Sequence, residues 1–325
     1  MNDNNYFSEN SETASLSPVI VTVYDRLDLL HECIEHLKKN AESKETVLYI
    51  SSDAPRLLNQ FEKIEKVRDY IKSIKGFKEV IPLLHNTNLG GHNAVLTTID
   101  YVLKTNPKFI LLEDDIQVSE HFLSYMNRCL KEFESNTDIS FICSYLWPNF
   151  RFDNFYKEDI FFWKGFCPWG MATWKNKWEE IDFDLKKFDY FFESKNNIKE
   201  FNKIDPNTFW ILLSDLSGEV VATDARICLN LYLQNKYSVF PSKTLCVNRG
   251  HDGRGVNESK NSIYMKQKLT NFNPVMPSNT EYLPSVQEFI HKFHYRFLKH
   301  KIYLPLLRFK LFKIIKSYLK KIFKP

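Results

Sequence analysis

The sequence predicts an α/β protein built on an open, mostly parallel central sheet with helices on both faces. Three observations carry that expectation. Short apolar runs alternate four times with longer segments of helical periodicity within residues 19–134. The runs are rich in β-branched or large aliphatic residues and nearly unbroken, as in strands buried on both faces. The polar residues Asp25, Arg26, Asp53, Asn88 and Glu113-Asp114-Asp115 all follow the carboxyl end of a run. Open α/β sheets bind their ligands at those ends.

Each element follows in order. Residues 1–17 are polar and acidic and read as a disordered leader. VIVTVY (19–24) is the first strand, and Leu27, Leu30, Ile34 and Leu37 then share one helical face. TVLYIS (46–51) is the second strand, closed by Ser52-Asp53-Ala54-Pro55. A helix over 57–74 aligns Ile64, Val67, Ile71 and Ile74. EVIPLLH (79–85) is the third strand and leads through NTNLGGHNAV into a helix ending near Lys104. KFILLED (108–114) is the fourth, and Ser119 reads as the N-cap of EHFLSYMNRCLKEFE. FICSYLW (141–147) is a further strand. An aromatic stretch follows it, and residues 183–222 read as helical and loop-rich. TDARICLNLYLQNK (223–236) reads as a helix capped by Thr223, and YSVFPSKTLCVNRGHDGRGVN as a short strand with a glycine-containing loop.

Composition narrows the function. The 325 residues carry a net charge of +4, yet residues 296–324 alone hold ten Lys or Arg and no acid. Residues 1–295 are therefore net acidic, and a nucleic-acid-binding body is disfavoured. Six cysteines with no C-x-x-C pair read as free buried thiols in a reducing compartment. The N-terminal residues have neither a basic nor an apolar signal region, and no window offers eighteen uninterrupted apolar residues.

FILLEDDIQVSEHF (109–122) is the segment with the clearest chemistry. Three adjacent carboxylates at a buried strand end need a counter-charge. A divalent cation, Mg²⁺ or Mn²⁺, is the simplest one, since such ions bind through one or two carboxylates plus substrate phosphates. Strand alternation would aim Glu113 and Asp115 at one ligand and Asp114 away from it. The alternative is a solvated acidic turn before a helix N-terminus. Arg26 suits an anionic diphosphate. Asn88, Gly90 and Gly91 suit a tight turn where backbone approaches a ligand. His92 reads as a loop or helix-start residue. Asp224, at a helix start where the dipole favours its ionised form, is the candidate general base, with Asp215 as competitor.

These pieces resemble GT-A-fold glycosyltransferases, which have a Rossmann-like sheet. The nearer resemblance is to N-acetylglucosaminyltransferase I-like and bacterial family 2-like sugar transferases. It rests on EDD after the FILL strand, PVIVTVYDR, SSDAP, NTNLGG, FCPWGMATWKNKW and TDARICLNLYLQNKYSVFPSKTLCVNRGHDG, and spans roughly 17–257. The resemblance implies Asp115 as direct metal ligand, with Glu113 and Asp114 on the donor sugar or ribose. It implies that Asp53 accepts from the base and that Asp25 and Arg26 line the nucleotide pocket. Asn88 and Gly90 would border the same pocket. Beside the resemblance, Trp169, Gly170 and Trp174 could shape the sugar or acceptor site, with aromatic core packing as the alternative, and His251 with Asp252 could give a late metal or diphosphate contact, with a surface turn as the alternative.

The expected protein is thus a metal-dependent (Mn²⁺ or Mg²⁺) hexosyl- or N-acetylhexosaminyltransferase. It would use a nucleotide sugar, a UDP-sugar first, and a glycan or lipid-linked acceptor in surface polysaccharide or glycoconjugate synthesis, with inversion. Its expected division is a leader (1–17), a GT-A domain (18–262; nucleotide-sugar half 18–138, acceptor half 139–262) and an extension (263–325). The stretch 306–324 sets Leu307, Leu311, Ile314, Tyr318 and Ile322 against a lysine face, an amphipathic pattern suited to an anionic membrane surface. Together with the free thiols, that pattern predicts a cytoplasmic protein, peripheral at the inner face of the cell membrane; a helix packed on the body with a solvated basic face is the tail's alternative. Two alternatives stand beside this reading. A sugar nucleotidyltransferase would need a glycine-rich loop after the first strand, which VTVYDRLDLL lacks. A non-catalytic membrane-associated module of the same fold is the other.

Overall fold

The computed structural model describes residues 15–152, 155–254, 263–277 and 281–295. In chain order the first half holds β1 (Val19–Val23), α1 (Leu27–Lys38), β2 (Val47–Ser52), α2 (Phe61–Ser73), β3 (Glu79–Leu84), α3 (Gly91–Val102), β4 (Lys108–Glu113), β5 (Ile116–Val118) and α4 (Phe122–Glu132). The second half holds β6 (Ile139–Cys143), β7 (Ile160–Trp163), β8 (Met171–Trp174), α5 (Lys175–Trp178), α6 (Asp189–Glu193), α7 (Lys195–Asn202), α8 (Pro206–Leu216), α9 (Thr223–Leu233), β9 (Tyr237–Pro241), β10 (Cys246–Asn248) and α10 (Pro284–Tyr295).

Eight strands form one sheet in the order β3-β2-β1-β4-β8-β6-β9-β7. Its pairings are parallel except where β8 meets β4 and β6 and where β7 meets β9. The expected α/β architecture, a mostly parallel central sheet flanked by helices, is what the chain adopts. β1 is central because its Val19, Ile20 and Val21 are fully buried. Pro82 is tolerated because β3 lies at the sheet edge and pairs with β2 alone.

Register fixes the site. Thr22 lies opposite both Ser51 of β2 and Glu113 of β4, and Ser52 lies opposite Leu84 of β3. Four strands therefore end on one line, and their following residues share one edge.

Four local expectations are corrected. Ser119 does not cap α4. Residues 116–118 form β5, and Asn40, from the turn after α1, caps α4 from a distance by accepting from Leu123 N (2.9 Å). Thr223 is already inside α9, whose N-cap is Ala222. The strand expected over 141–147 runs instead over 139–143. The aromatic stretch hides two strands, β7 and β8, whose residues are all buried, so their alternation carries no polar signal.

All six cysteines are buried and free. The described part of the expected extension lies on the body: Arg249 Nη1 donates to Met265 O (2.8 Å), and Gln267 Nε2 to Leu146 O (2.7 Å). Phe289 and Phe293 of α10 pack edge-on against Phe150. The leader residues 1–14 and the basic stretch from 296 onward lie outside the described residues.

Candidate active site

β4 ends at Glu113, and Asp114 and Asp115 then turn into β5. The turn breaks strand alternation, so the expected opposition of Asp114 to its neighbours does not hold. Both aspartates face Arg26. The Arg26 guanidinium pairs with Asp114 through Nη2, with a second contact from Nε to Oδ2 at 3.3 Å. Its Nη2 also lies 2.9 Å from Asp115 Oδ2. The counter-charge expected from a metal is thus supplied, in this state, by the chain itself.

Asp115 is 7 % exposed, and its Oδ1 is buried without a hydrogen-bond partner among the described residues. Its backbone is pinned by the antiparallel β5–β10 ribbon, and Arg249 N donates to Asp115 O (2.8 Å). Gly250 follows immediately. A Cβ there would overlap Asp115 Oδ2 and stand 3.1 Å from Arg26 Nη1, so only glycine lets this loop close on the pair. Burial pushes Glu113 up to about 8, helped by Asp115 and Asp114. It pushes Asp114 up to about 7 against the pull of Arg26, and Asp115 upward as well. The same two aspartates raise Arg26, overcoming the effect of its burial.

Asp53 follows β2 and is 6 % exposed. Its carboxylate accepts from Ala54 N (2.8 Å), Leu89 N (2.9 Å), Gly90 N (2.9 Å) and Asn88 Nδ2 (3.1 Å). Asp53, Asn88 and Gly90 are therefore brought together as expected, but the carboxylate is engaged by its own loop. Gly90, at φ +76°, turns that loop into α3.

Asp25 lines a cavity of about 540 Å³ with His31, Lys63, Tyr70 and Arg254, beside the carboxylate cluster. Arg254 grips Asp28 at the start of α1 (2.7 and 3.0 Å) and Asp252 (2.6 Å). Asp252, expected near a diphosphate, thus fastens its own loop to α1. His251 stacks on Tyr264 (4.4 Å between centroids) and meets Trp169 edge-on (5.5 Å). It is close enough to Asp115 to favour that carboxylate's charged form.

Because β8 runs against β4, it starts near the carboxyl end of β4 and finishes at that strand's first residue. Gly170 precedes it at the carboxyl edge, with φ +72° and a Cβ position that would overlap Ser144 Oγ. Trp169 sits beside it, against Tyr145 (4.7 Å). Trp174 lies opposite Lys108, the first residue of β4. It is 2 % exposed and donates to Leu130 O (3.1 Å). The expected place of Trp174 in the pocket is corrected: the antiparallel strand carries it to the other end of the sheet, into the core.

Asp224 is the second residue of α9 and is near enough to Glu113 to push that carboxyl upward. Burial raises Asp224 itself, outweighing the backbone amides that favour its charge. The helix start therefore does not hold it in the ordinary carboxylate range. Asp215 is removed from contention, since both its oxygens bind Arg226 (2.6 and 2.7 Å) and Oδ2 also takes Ala222 N (3.0 Å). His92 Nδ1 lies 2.6 Å from Thr223 Oγ1, joining the start of α3 to the start of α9. Burial and Arg226 hold His92 below its usual range.

Sequence reasoning missed the Arg26 bridge, the His92–Thr223 link, Tyr264 and the close approach of Gly250. Only Gly250 left a signal, as a glycine in a glycine-poor chain. Among the described residues no three His, Cys, Asp or Glu side chains converge as a metal cage. Asp115 Oδ1 instead fits an ion held by one carboxylate, with waters and substrate oxygens completing its shell.

No family model and no curated protein matches the chain. Among solved structures it is similar to the mannosyltransferase PcManGT from Pyrobaculum calidifontis in complex with GDP-Man and Mn²⁺. That similarity has 12 % identity and a TM-score of 0.43, covering 72 % of this chain and 58 % of that one. It is also similar to S. aureus TarS 1–349, with 14 % identity and a TM-score of 0.43 over 71 % of this chain and 59 % of that one. The UDP-GlcNAc complex of TarS 1–349 gives 14 % and 0.41 over 78 % and 62 %. The chain spans about three fifths of the length of these proteins. Likeness at this level decides neither reaction nor substrate.

Proposed function

We propose that this protein is a glycosyltransferase that moves a sugar from a nucleoside-diphosphate donor to an acceptor hydroxyl. The observation that carries the reading is Asp115: a carboxylate at the carboxyl edge of a parallel sheet, nine-tenths buried, with one oxygen lacking a partner. Three further features support it. Arg26 stands beside it as a fork for diphosphate oxygens. The loop built on Asp53, Asn88 and Gly90 borders the same edge. Asp224 shares the field of Glu113.

In this reading Asp115 would hold a Mn²⁺ or Mg²⁺ ion, with His251 beside it. The ion supplies charge stabilisation to the departing diphosphate. Asp25, Arg26 and the Asp53 loop bind the nucleotide, and Glu113 and Asp114 face the sugar. Trp169 and Gly170 wall the acceptor side. The acceptor oxygen forms its bond to the anomeric carbon as the carbon–diphosphate oxygen bond breaks. Asp224 takes the hydroxyl proton, a task suited to a carboxylate whose affinity for protons is raised by burial. Attack opposite the leaving group inverts the anomeric centre. UDP-hexose or UDP-N-acetylhexosamine is the donor to try first. A glycan or lipid-linked acceptor in surface polysaccharide or glycoconjugate synthesis suits a protein whose residues 306–324 carry an amphipathic basic pattern. Those residues would seat it at the inner face of the membrane. Among the described residues no helix is long and apolar enough to cross one.

The test is calorimetry of UDP, GDP and CMP sugars with Mn²⁺, followed by transfer assays on the donor that binds. Asp115→Asn is expected to abolish metal-dependent donor binding and transfer with the fold intact. Asp224→Asn is expected to keep donor binding and lose about 10²- to 10⁴-fold in kcat. Binding of no nucleotide sugar would instead favour a non-catalytic module.

A further inference from the structure

The counter-charge in the acidic turn raises a question that metal binding must answer. Arg26 Nη2 reaches both Asp114 and Asp115, and lies 2.9 Å from Asp115 Oδ2. The Gly250 backbone packs against that oxygen and against the guanidinium, and Arg26 itself is only 21 % exposed in its side chain. Only Oδ1 of Asp115 remains without a partner. A divalent ion at Oδ1 would therefore arrive beside a fixed guanidinium of the same sign. In a buried setting that repulsion is barely screened.

We propose that Arg26 is an exchangeable internal counter-cation. It guards Asp115 against metal in the donor-free protein and moves to the donor's diphosphate when metal and donor bind together. The proposal rests on the donor-site reading above and adds a positioning role for Arg26 within it. A diphosphate offers the guanidinium a second set of paired oxygens, so leaving Asp115 costs Arg26 little once the donor is present. Metal and diphosphate then reinforce one another, because each relieves the obstacle the other meets. By linkage the enhancement is the same in both directions. Asp114 keeps the guanidinium within reach throughout, which gives the middle residue of the EDD turn a role that needs no contact with the metal.

The experiment is calorimetric titration of the full chain with Mn²⁺ alone, with UDP or GDP alone, and with each in the presence of the other. Wild type, Arg26→Gln and Arg26→Lys are compared, with thermal melts as a check on folding. Wild type is expected to bind Mn²⁺ alone weakly and to show mutual enhancement of at least about tenfold. Arg26→Gln is expected to bind Mn²⁺ alone about tenfold more tightly and the nucleotide alone more weakly, with the enhancement largely lost. Arg26→Lys keeps a cation for folding but lacks the planar fork that takes paired diphosphate oxygens, and should fall between the two. If the variants bind Mn²⁺–nucleotide but bind Mn²⁺ alone no more tightly than wild type, the exchange is wrong and the donor-site reading survives. If no form binds Mn²⁺ with or without nucleotide, the donor-site reading falls and this proposal with it.

Discussion

Glu113 holds a proton that an unfolded chain would release. Its ordinary value is near 4.3, and in the fold burial beside Asp115 and Asp114 pushes it up to about 8. Between those two values the folded protein binds more protons than the unfolded one, so stability falls as pH rises through that window. Glu113→Gln removes this contribution. In EDTA the variant is expected to match wild type near pH 5 and to melt at a higher temperature near pH 8. Equal pH profiles would show that Glu113 does not carry the strain. Asp53 differs in its hydrogen bonds. Four donors satisfy it, and it works as the keystone of the Asn88–Gly90 turn. Both residues were legible as strand-end acids. Which was strained and which satisfied was not, because the donors come from distant parts of the chain.

At the scale of elements, two junctions build the candidate site. The β5–β10 ribbon brings Arg249 and Gly250 to Asp115 across more than a hundred residues of sequence. Three-residue strands have too little periodicity to be seen in advance. The second junction joins α8 to α9, where Asp215 and Arg226 form a nearly buried two-point pair and Asp215 also fixes Ala222 N just before Asp224. Burial works against the charge of Asp215, but Arg226 and the amide hold it below the usual carboxylate range. Its folded value lies under its unfolded one. The stability it contributes is therefore complete above about pH 4 and is lost as pH falls through the folded value. Asp215→Ala, which strands Arg226, should cost about 3 kcal/mol in urea denaturation at pH 7. It should also lower kcat by loosening the start of α9. The double variant Asp215→Leu, Arg226→Met should recover most of the stability and none of the kcat. Stability lost in the double variant as in the single would show that the pair is not the cause.

For the whole molecule, charge is divided between a net acidic stretch, 1–295, and a basic end. The amphipathic stretch 306–324 motivates one further prediction. Deleting residues 296–325 should abolish cosedimentation with vesicles containing anionic lipid and leave Mn²⁺–nucleotide binding unchanged. Full-length binding should weaken as salt rises. Equal cosedimentation of both forms would remove the membrane role. The cut is expected to spare the body, because Phe289 and Phe293 of α10 precede it and pack on Phe150.

By itself the sequence determined the architecture and the sheet edge on which the candidate site lies. Four apolar runs with polar residues at their ends, acids at three of them, leave a parallel sheet little choice, because hydrophobic periodicity is local and strand ends in such a sheet coincide. Only the tertiary structure decided which strand-end groups meet. Trp174 followed the same motif as Trp169 and Gly170, yet the reversed direction of β8 sent it to the far end of the sheet. Asp114, expected to turn away, joined Asp115 on Arg26 because a turn, unlike a strand, does not alternate. Partners separated by many residues are set by register, chain reversal and loop closure. Those are properties of the packed molecule, and no window of sequence contains them.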